Sequence, residues 1–171
     1  MGYLEVVLAG IHTGRYKDGN TNLSMLIQRI INEVPKLERL RLSSIEINEV
    51  DDEFIELMRH HTLLANHLHL PLQSGSDLVL EKMERRYDSK FFLSRIQKIK
   101  EARPDISLTT DVIVGFPYES DEEYQKSKDF ISKVGFSKLH VFPYSMRKGT
   151  KAVNMPVSYT HLRAHETLRH L

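Results

Sequence analysis

Two histidines lie two residues apart in the stretch HLHLPLQSGSD at residues 67–77, and few side chains in this sequence are better suited to chemistry. Imidazole nitrogens bind transition metals, act as general bases and hydrogen-bond to polar ligands. A metal site needs three or four converging ligands, and this stretch offers only His67 and His69. From these residues alone three interpretations stay open: packed polar groups of the core, metal ligands, and contacts to a cofactor or substrate.

The alternation of the same stretch predicts which side chains share a surface. Successive side chains of a strand point to opposite faces, so three leucines share one face while His67, His69 and Gln73 share the other. Parallel strands covered by helices on both faces are usually apolar throughout. A polar second face therefore favours a curled, barrel-like sheet whose inner surface holds a ligand.

The hydrophobic pattern predicts the elements that position these side chains. Strands are expected near residues 4–10, 37–47, 66–72, 107–116 and 137–144, and helices near 22–34, 51–58, 76–85, 91–100 and 120–134. Strands that alternate with helices predict an α/β fold, with a parallel sheet and helices outside it. In a barrel of this kind the chemistry lies at the carboxyl ends of the strands.

The composition narrows the class of protein. The chain of 171 residues has the length of one domain, and its 24 Lys and Arg nearly balance its 23 Asp and Glu, so it lacks a global basic field for nucleic acid. It contains no cysteine, which excludes a cysteine-ligated iron–sulfur cluster within these residues. No apolar run approaches the roughly 20 residues that span a bilayer. We therefore expect a cytoplasmic protein with no membrane partner.

The end of the chain does not follow the pattern of the rest. The string VSYTHLRAHET at residues 157–167 has no core periodicity, and it is identified as the in-frame translation of a transposon-end sequencing adapter. We therefore predict a native segment at residues 1–155 and a non-native tail at residues 156–171.

Five ordered blocks at the strand ends carry a resemblance to a known family. They are LAGIHTG at 8–14, RLRLSSIE at 39–46, NHLHLPLQSGSDLVLEKMERRY at 66–87, TTDVIVGFPYES at 109–120 and LHVFPYSMRKGT at 139–150. Together they resemble the radical S-adenosylmethionine (SAM) methylthiotransferases. The IHTG and SSIE blocks resemble the branch that acts on threonylcarbamoyladenosine in tRNA, and the sister enzymes that act on isopentenyladenosine or on a ribosomal protein differ there.

The resemblance implies a fold, a reaction and partners. The family joins a methylthiotransferase domain with one cluster, a radical-SAM barrel with a second 4Fe-4S cluster on a CxxxCxxC loop, and an RNA-binding domain. Its reaction adds sulfur and a methyl group to C2 of N6-threonylcarbamoyladenosine beside the anticodon, using one SAM as methyl donor and another as radical source. The implied partner is the tRNA anticodon stem-loop, and the parent protein is expected to be a monomer.

Two departures from the family pattern qualify this expectation. Because the chain has no cysteine, it cannot ligate the cluster that cleaves SAM. We therefore expect an inactive central fragment that covers strands two to six of an incomplete radical-SAM (βα)6 barrel. The second departure is Tyr118, where the family has Gly in its GFPGE motif.

Strand-end position and the resemblance together nominate site residues. Those expected to contact SAM are Gly10, His12, Ser43, Ser44, Glu46, His69, Gln73, Ser74, Asp111, Ile113 and Gly115. Tyr144, Ser145 and Arg147 are expected at the RNA, because aromatic and guanidinium groups stack on splayed bases and bind phosphates. No catalytic residue or metal ligand is assigned. Lys82, Arg85 and Arg86 are expected on a solvated helix face.

Two other functions stay open on the sequence. A metal-dependent hydrolase barrel would use His67 and His69, with Asp111, His12 or His140 as further ligands. A non-catalytic module would keep only a SAM-binding or RNA-binding surface. Tight stoichiometric zinc would favour the hydrolase, and binding of SAM or an anticodon stem-loop without turnover would favour the module.

Overall fold

The computed structural model describes residues 2–156 of the chain. Its strands and helices are, in order, β1 (Glu5–Leu8), β2 (Lys17–Asp18), β3 (Thr21–Asn22), α1 (Leu23–Glu33), β4 (Arg39–Leu42), α2 (Asp52–His60), β5 (His67–His69), α3 (Asp77–Lys82), α4 (Ser89–Ala102), β6 (Ser107–Val114), α5 (Asp121–Val134) and β7 (Lys138–Pro143). Every strand and helix expected from the pattern is present. Of the predicted tail at residues 156–171, residues 157–171 lie outside the described residues.

A short antiparallel hairpin was not expected. Strands β2 and β3 pair Lys17 with Asn22 and Asp18 with Thr21. The two residues of the turn are Gly19, at a positive φ of 57°, and Asn20, and a Gly-Asn pair is a local hairpin signal. The signal was present in the sequence, but the flanking strands are only two residues long.

The chain divides into two compact units, and each is described by itself. Among the described residues, the first comprises residues 2–71 and Ser94–Leu108, and the second comprises Leu72–Leu93 and residues 109–156. No helix among residues 2–156 is long and apolar enough to cross a membrane.

The first unit is built on parallel strands. Strand β1 pairs with β4 in register from Glu5 with Arg39 to Leu8 with Leu42, and a parallel bridge joins Leu40 to Leu64. Helices α1 and α2 begin at side-chain caps, since Asn22 accepts the amide of Met25 and Asp51 accepts that of Phe54. The buried core of this unit includes Ile27, Leu40, Ile45, Phe54 and Met58, each at most 2% exposed.

The second unit contains a parallel pair of strands. Strand β6 pairs with β7 in register from Thr109 with Lys138 to Val114 with Pro143. Alternate residues of β6 are buried and half-buried, so Asp111 and Ile113 share the less buried face. Helix α5 begins at the cap Ser120 and ends at Gly135 in the left-handed conformation. Parallel pairing with intervening helices in both units confirms the predicted α/β class.

The turn after β6 keeps a backbone conformation that favours glycine, although Tyr118 occupies it. Tyr118 has a φ of 71°, and the turn is closed by hydrogen bonds from the amide of Glu119 to the carbonyl of Phe116 and from the amide of Ser120 to that of Tyr118, both 3.0 Å long. The Nζ atom of Lys82 lies 5.4 Å from the centre of the Tyr118 ring. Tyrosine in place of the family's glycine therefore introduces backbone strain at this position and, at the same time, a cation–π contact with Lys82.

Comparison of two substitutions isolates this strain. Tyr118→Gly and Tyr118→Ala both remove the ring and its contact with Lys82, but only Gly adopts the left-handed region without a penalty from Cβ. We expect the free energy of unfolding of Tyr118→Gly to be about 1 kcal/mol higher than that of Tyr118→Ala, so the glycine variant is the more stable of the two. Urea titration followed by circular dichroism measures the difference. Equal stability of the two variants would show that the residue is not strained.

Candidate cofactor and substrate site

The second unit contains a cavity of about 670 Å³ at the carboxyl ends of β6 and β7. It is called the β6–β7 cavity here. Its lining consists of Gln73, Lys82, Met83, Glu84, Arg85, Asp111, Ile113, Phe116, Phe142, Pro143, Tyr144, Ser145, Arg147, Thr150, Lys151, Ala152 and Met155. This volume lies within the range of pockets that bind cofactors and other small molecules.

The β6–β7 cavity gathers six of the residues nominated from the sequence. Three had been assigned to SAM, namely Gln73, Asp111 and Ile113, and three to RNA, namely Tyr144, Ser145 and Arg147. The strand register explains the grouping, because Ile113 pairs with Phe142 and the amide of Tyr144 donates to the carbonyl of Val114 over 2.8 Å. Two sets of residues expected to meet different ligands thus line one cavity.

Gln73 lines the cavity from a backbone conformation that is unusual for a residue with a side chain. Its φ is 68°, in a region that costs an L-residue about 1–2 kcal/mol. Two hydrogen bonds to β6 hold it there: its amide donates to the carbonyl of Asp111, and its carbonyl accepts the amide of Ile113, each over 2.8 Å. Strain that the surrounding structure maintains is often found at functional sites.

Asp111 carries a charge in the cavity wall. Its carboxylate side chain is 28% exposed, and its Oδ1 atom lies 3.3 Å from Nδ1 of His140, the residue opposite it on β7. An aspartate among apolar strand residues needs such a partner, because burying an unpaired charge is costly.

Two aromatic rings form an apolar wall with one polar atom. Phe116 and Tyr144 pack edge to face with ring centres 5.1 Å apart. The hydroxyl oxygen of Tyr144 is buried and has no hydrogen-bond partner among the described residues. Because buried hydroxyl groups are normally hydrogen-bonded, this oxygen is a suitable contact for a polar atom of a ligand.

Ser74 and Gly115 do not line the cavity. Ser74 is fully buried, and its hydroxyl accepts the amide of Ser76 over 3.2 Å. Gly115 has a φ of 79°, and its amide donates to the carboxylate of Glu119 over 2.5 Å. Glu119 is 1% exposed and was not nominated from the sequence. The sequence feature that could have indicated Glu119 is its position four residues after the turn glycine Gly115.

Four cationic residues line the β6–β7 cavity: Lys82, Arg85, Arg147 and Lys151. The expectation of a solvated helix face is wrong for Arg85 and Arg86, because α3 ends at Lys82. Arg86 is exposed, whereas Lys82 and Arg85 are half-buried at the cavity. The reason is local, because the chain reverses at the end of α3 through Glu84, whose φ is 57°. Helical periodicity alone does not predict that reversal.

The first unit holds the other six residues nominated for SAM: Gly10, His12, Ser43, Ser44, Glu46 and His69. They follow neighbouring strand ends. The amide of Ser43 donates to the carbonyl of Leu8 over 2.9 Å, and the amide of Ile45 donates to that of His69 over 3.1 Å. The carboxyl ends of β1, β4 and β5 therefore lie side by side, as a site at the strand ends requires.

A buried carboxylate in the first unit was missed from the sequence. The side chain of Glu49 is 3% exposed and lies 2.8 Å from Nε of Arg15 and 3.5 Å from Nδ1 of His12. Ligand atoms of His12, Glu46 and Glu49 lie within 4.8 Å of one another. Such a group could accept a cation, but Arg15 already supplies a positive charge to Glu49.

His67 does not support a hydrolytic metal site among residues 2–156. Burial, followed by the charge of Arg41, lowers the pKa of His67 below its ordinary value, which favours the neutral imidazole. His67 nevertheless belongs to no group of three metal-ligating side chains among those residues. Its half-buried position in β5 instead fits the interpretation of a polar residue packed in the sheet.

Comparison with known proteins identifies the family. The radical SAM superfamily model matches residues 1–131. The chain is 46% identical over 156 residues to threonylcarbamoyladenosine tRNA methylthiotransferase MtaB of Bacillus subtilis, covering 90% of this chain and 35% of the relative. It is 36% identical over 173 residues to a tRNA-2-methylthio-N(6)-dimethylallyladenosine synthase of Thermoanaerobacter sp., covering 99% of this chain and 36% of the relative.

A solved structure supports the fold independently. Coproporphyrinogen III oxidase of Escherichia coli, a radical SAM enzyme, superposes with a TM-score of 0.67 at 16% identity, covering 87% of this chain and 36% of that one. This likeness confirms the predicted radical-SAM fold. The chain spans about a third of the length of the curated relatives that it matches. By its sequence and its fold, the chain belongs to the radical SAM superfamily.

Proposed function

We propose that this chain is the SAM-binding and substrate-binding part of an enzyme that methylthiolates C2 of N6-threonylcarbamoyladenosine in a tRNA anticodon stem-loop. The observation that carries the proposal is the β6–β7 cavity, in which residues nominated for cofactor and for RNA lie together. The sequence identity of the chain is higher to MtaB of Bacillus subtilis, at 46%, than to the dimethylallyladenosine synthase, at 36%. This difference favours N6-threonylcarbamoyladenosine as the substrate nucleoside. We place the protein in the cytoplasm, as a monomer that meets tRNA there.

The lining of the cavity fits an adenosine group. Ile113, Phe116 and Tyr144 offer apolar and aromatic surface against which a purine can pack. The buried hydroxyl of Tyr144, the side-chain amide of Gln73 and the carboxylate of Asp111 offer hydrogen-bonding atoms. SAM and the target nucleoside both contain adenosine, so either could use this surface.

The chain does not fit an iron–sulfur cluster. Radical SAM clusters are held by cysteine thiolates, and none of the 171 residues is cysteine. No step through a cluster is therefore assigned to these residues. Binding and orientation of SAM and RNA are the contributions that this chain can make, and we expect it to bind SAM without cleaving it.

Calorimetric titration of the 171-residue chain with SAM tests the proposal. We expect saturable binding, and about tenfold weaker binding for Asp111→Asn and for Gln73→Ala, because each substitution removes a hydrogen bond from a partly enclosed site. Asp129→Asn is the matched control, since Asp129 is an exposed aspartate of α5 that does not line the cavity.

The outcome separates the rival functions. Absence of SAM binding by a chain whose circular dichroism shows a folded state contradicts the proposal. Stoichiometric zinc in the purified chain, with activity that chelation abolishes, supports a hydrolase instead. If SAM binds saturably but Asp111→Asn and Asp129→Asn weaken its binding equally, SAM binds outside the β6–β7 cavity.

A further inference from the structure

Two aromatic residues at the end of β7 line the β6–β7 cavity together. Phe142 and Tyr144 are two positions apart, so their side chains lie on the same side of the extended chain, and both line the cavity. Phe142 is 50% exposed although its side chain is large and apolar. Aromatic rings that are accessible in this way are the surfaces on which proteins stack splayed nucleic-acid bases.

The hydroxyl group of Tyr144 differs from that of Tyr87 in the same unit. Tyr87 donates its hydroxyl hydrogen to the carbonyl of Leu72 over 3.0 Å, whereas the buried hydroxyl oxygen of Tyr144 has no hydrogen-bond partner among residues 2–156. A buried polar group without a partner lowers the stability of a folded chain. Such a group in the wall of a cavity indicates a contact that a ligand completes.

The charges near Tyr144 favour the nucleoside of an RNA over SAM. SAM has a sulfonium, an ammonium and one carboxylate group, so its net charge is positive, whereas N6-threonylcarbamoyladenosine has a carboxylate and lies between phosphates in RNA. Arg147 and Lys151 line the cavity from the segment after Tyr144, and Asp111 lines it from β6. Since Lys151 is paired with Glu84, the net positive charge of this part of the lining comes from Arg147. Like charges repel, so the cationic ligand suits the side of Asp111 and the anionic ligand suits the side of Tyr144.

We propose that Phe142 and Tyr144 recognise the base of the target nucleoside: the base stacks on Phe142, and the hydroxyl of Tyr144 hydrogen-bonds a polar atom at the edge of the base. The inference rests on the proposed function and divides its cavity, with SAM on the side of Asp111 and the nucleoside on the side of Tyr144. A hydroxyl group both donates and accepts, so it suits the edge of a purine. Binding of the nucleoside then completes a hydrogen bond that the described residues leave unmade.

Calorimetric titration of the 171-residue chain with free N6-threonylcarbamoyladenosine and, separately, with SAM tests the assignment. Tyr144→Phe keeps the ring and its packing against Phe116 and removes only the hydroxyl. We expect this variant to bind the nucleoside about tenfold more weakly and SAM with unchanged affinity. Phe142→Leu keeps an apolar side chain that cannot stack, and it should also bind the nucleoside about tenfold more weakly.

Thermal unfolding separates a role in binding from a structural role. Because the hydroxyl of Tyr144 has no partner among the described residues, Tyr144→Phe should leave the unfolding midpoint unchanged or raise it by about 2–4 °C. Tyr87→Phe is the matched control, since it removes a hydroxyl that is hydrogen-bonded to Leu72 and lies outside the cavity lining. It should lower the midpoint by about 2–4 °C and leave the affinity for the nucleoside unchanged.

Several results would overturn the assignment. They are a lower unfolding midpoint for Tyr144→Phe than for the parent chain, an unchanged affinity for the nucleoside in Tyr144→Phe or Phe142→Leu, and an equal loss of affinity for the nucleoside and SAM in Tyr144→Phe. A chain that binds SAM but not the nucleoside also overturns it, and leaves the SAM-binding part of the proposed function intact. A folded chain that binds neither ligand contradicts the proposed function itself, and this assignment with it.

Discussion

Replacing Arg103 with methionine is expected to lower the free energy of unfolding by about 3 kcal/mol, because three charge-assisted hydrogen bonds are lost at once. In the first unit the guanidinium group of Arg103 donates from Nε to the carbonyl of Met58 over 2.5 Å, from Nη1 to that of Leu64 over 2.8 Å and from Nη2 to that of His61 over 2.5 Å. These carbonyls belong to the last turn of α2 and the loop that follows. Without Arg103 these carbonyls lose the guanidinium group as a donor, and only that of His61 is shown with a second donor, the amide of Leu64 at 3.2 Å.

The loss should not depend on pH between about 5 and 9. Burial lowers the pKa of Arg103, but arginine remains protonated throughout this range. Urea unfolding monitored by circular dichroism provides the measurement. Arg103→Lys keeps the charge without the planar fork and should recover less than half of the loss.

Arg29→Met is the matched control for Arg103. Arg29 is exposed and pairs with Glu33 one turn away on α1, an interaction that contributes only about 0.3–0.5 kcal/mol. If Arg103→Met proves as mild as Arg29→Met, the three carbonyl contacts do not stabilise the first unit.

The second large effect concerns Gly75, where alanine is expected to destabilise the protein by about 2–3 kcal/mol. An added Cβ would lie 2.8 Å from the carbonyl oxygen of Ser127, 2.9 Å from its Cα and 2.8 Å from Cβ of Phe130. Within the second unit the amide of Gly75 also donates to Oγ of Ser127 over 2.8 Å. The chain before α3 therefore approaches α5 too closely for any side chain.

Two further variants sharpen this test, with thermal and urea unfolding as readouts. Gly10→Ala should change stability by less than about 0.5 kcal/mol, since the nearest atom to its added Cβ is Oγ1 of Thr13 at an ordinary 3.5 Å. Trimming Phe130 to alanine in the Gly75→Ala background should not restore stability, because all three close atoms remain: two belong to the backbone of Ser127, and the third is Cβ of residue 130, which alanine keeps. Recovery of stability in that double variant would contradict the backbone clash.

Much of the fold could be predicted because local patterns agree with the tertiary structure. The alternation in residues 67–73 placed Leu68, Leu70 and Leu72 on the buried side, and all three are at most 2% exposed. Ser76 and Ser120 cap helices, each accepting an amide three residues later. Periodicity and capping depend on residues close in sequence, so they can be read without a structure.

Gly75 shows where the local pattern is an incomplete guide. A glycine before the helix cap Ser76 indicates a turn, yet this glycine has no positive φ, and the structure requires it because of Ser127 and Phe130. Those residues are more than 50 positions away. Close approach between distant segments leaves no mark in the local pattern of either one.

The sequence by itself determined the α/β class, the order of its strands and helices and the family, because strand-end blocks and hydrophobic periods are local properties. It also determined that no residue of this chain is a cysteine that could ligate a cluster. Only the tertiary structure decided that Gln73, Asp111 and Tyr144 line one cavity, and that Arg85 lies there while Arg86 is exposed. The physical reason is that parallel register and the left-handed backbone at Gln73 and Glu84 depend on hydrogen bonds that strands and turns complete only when folded.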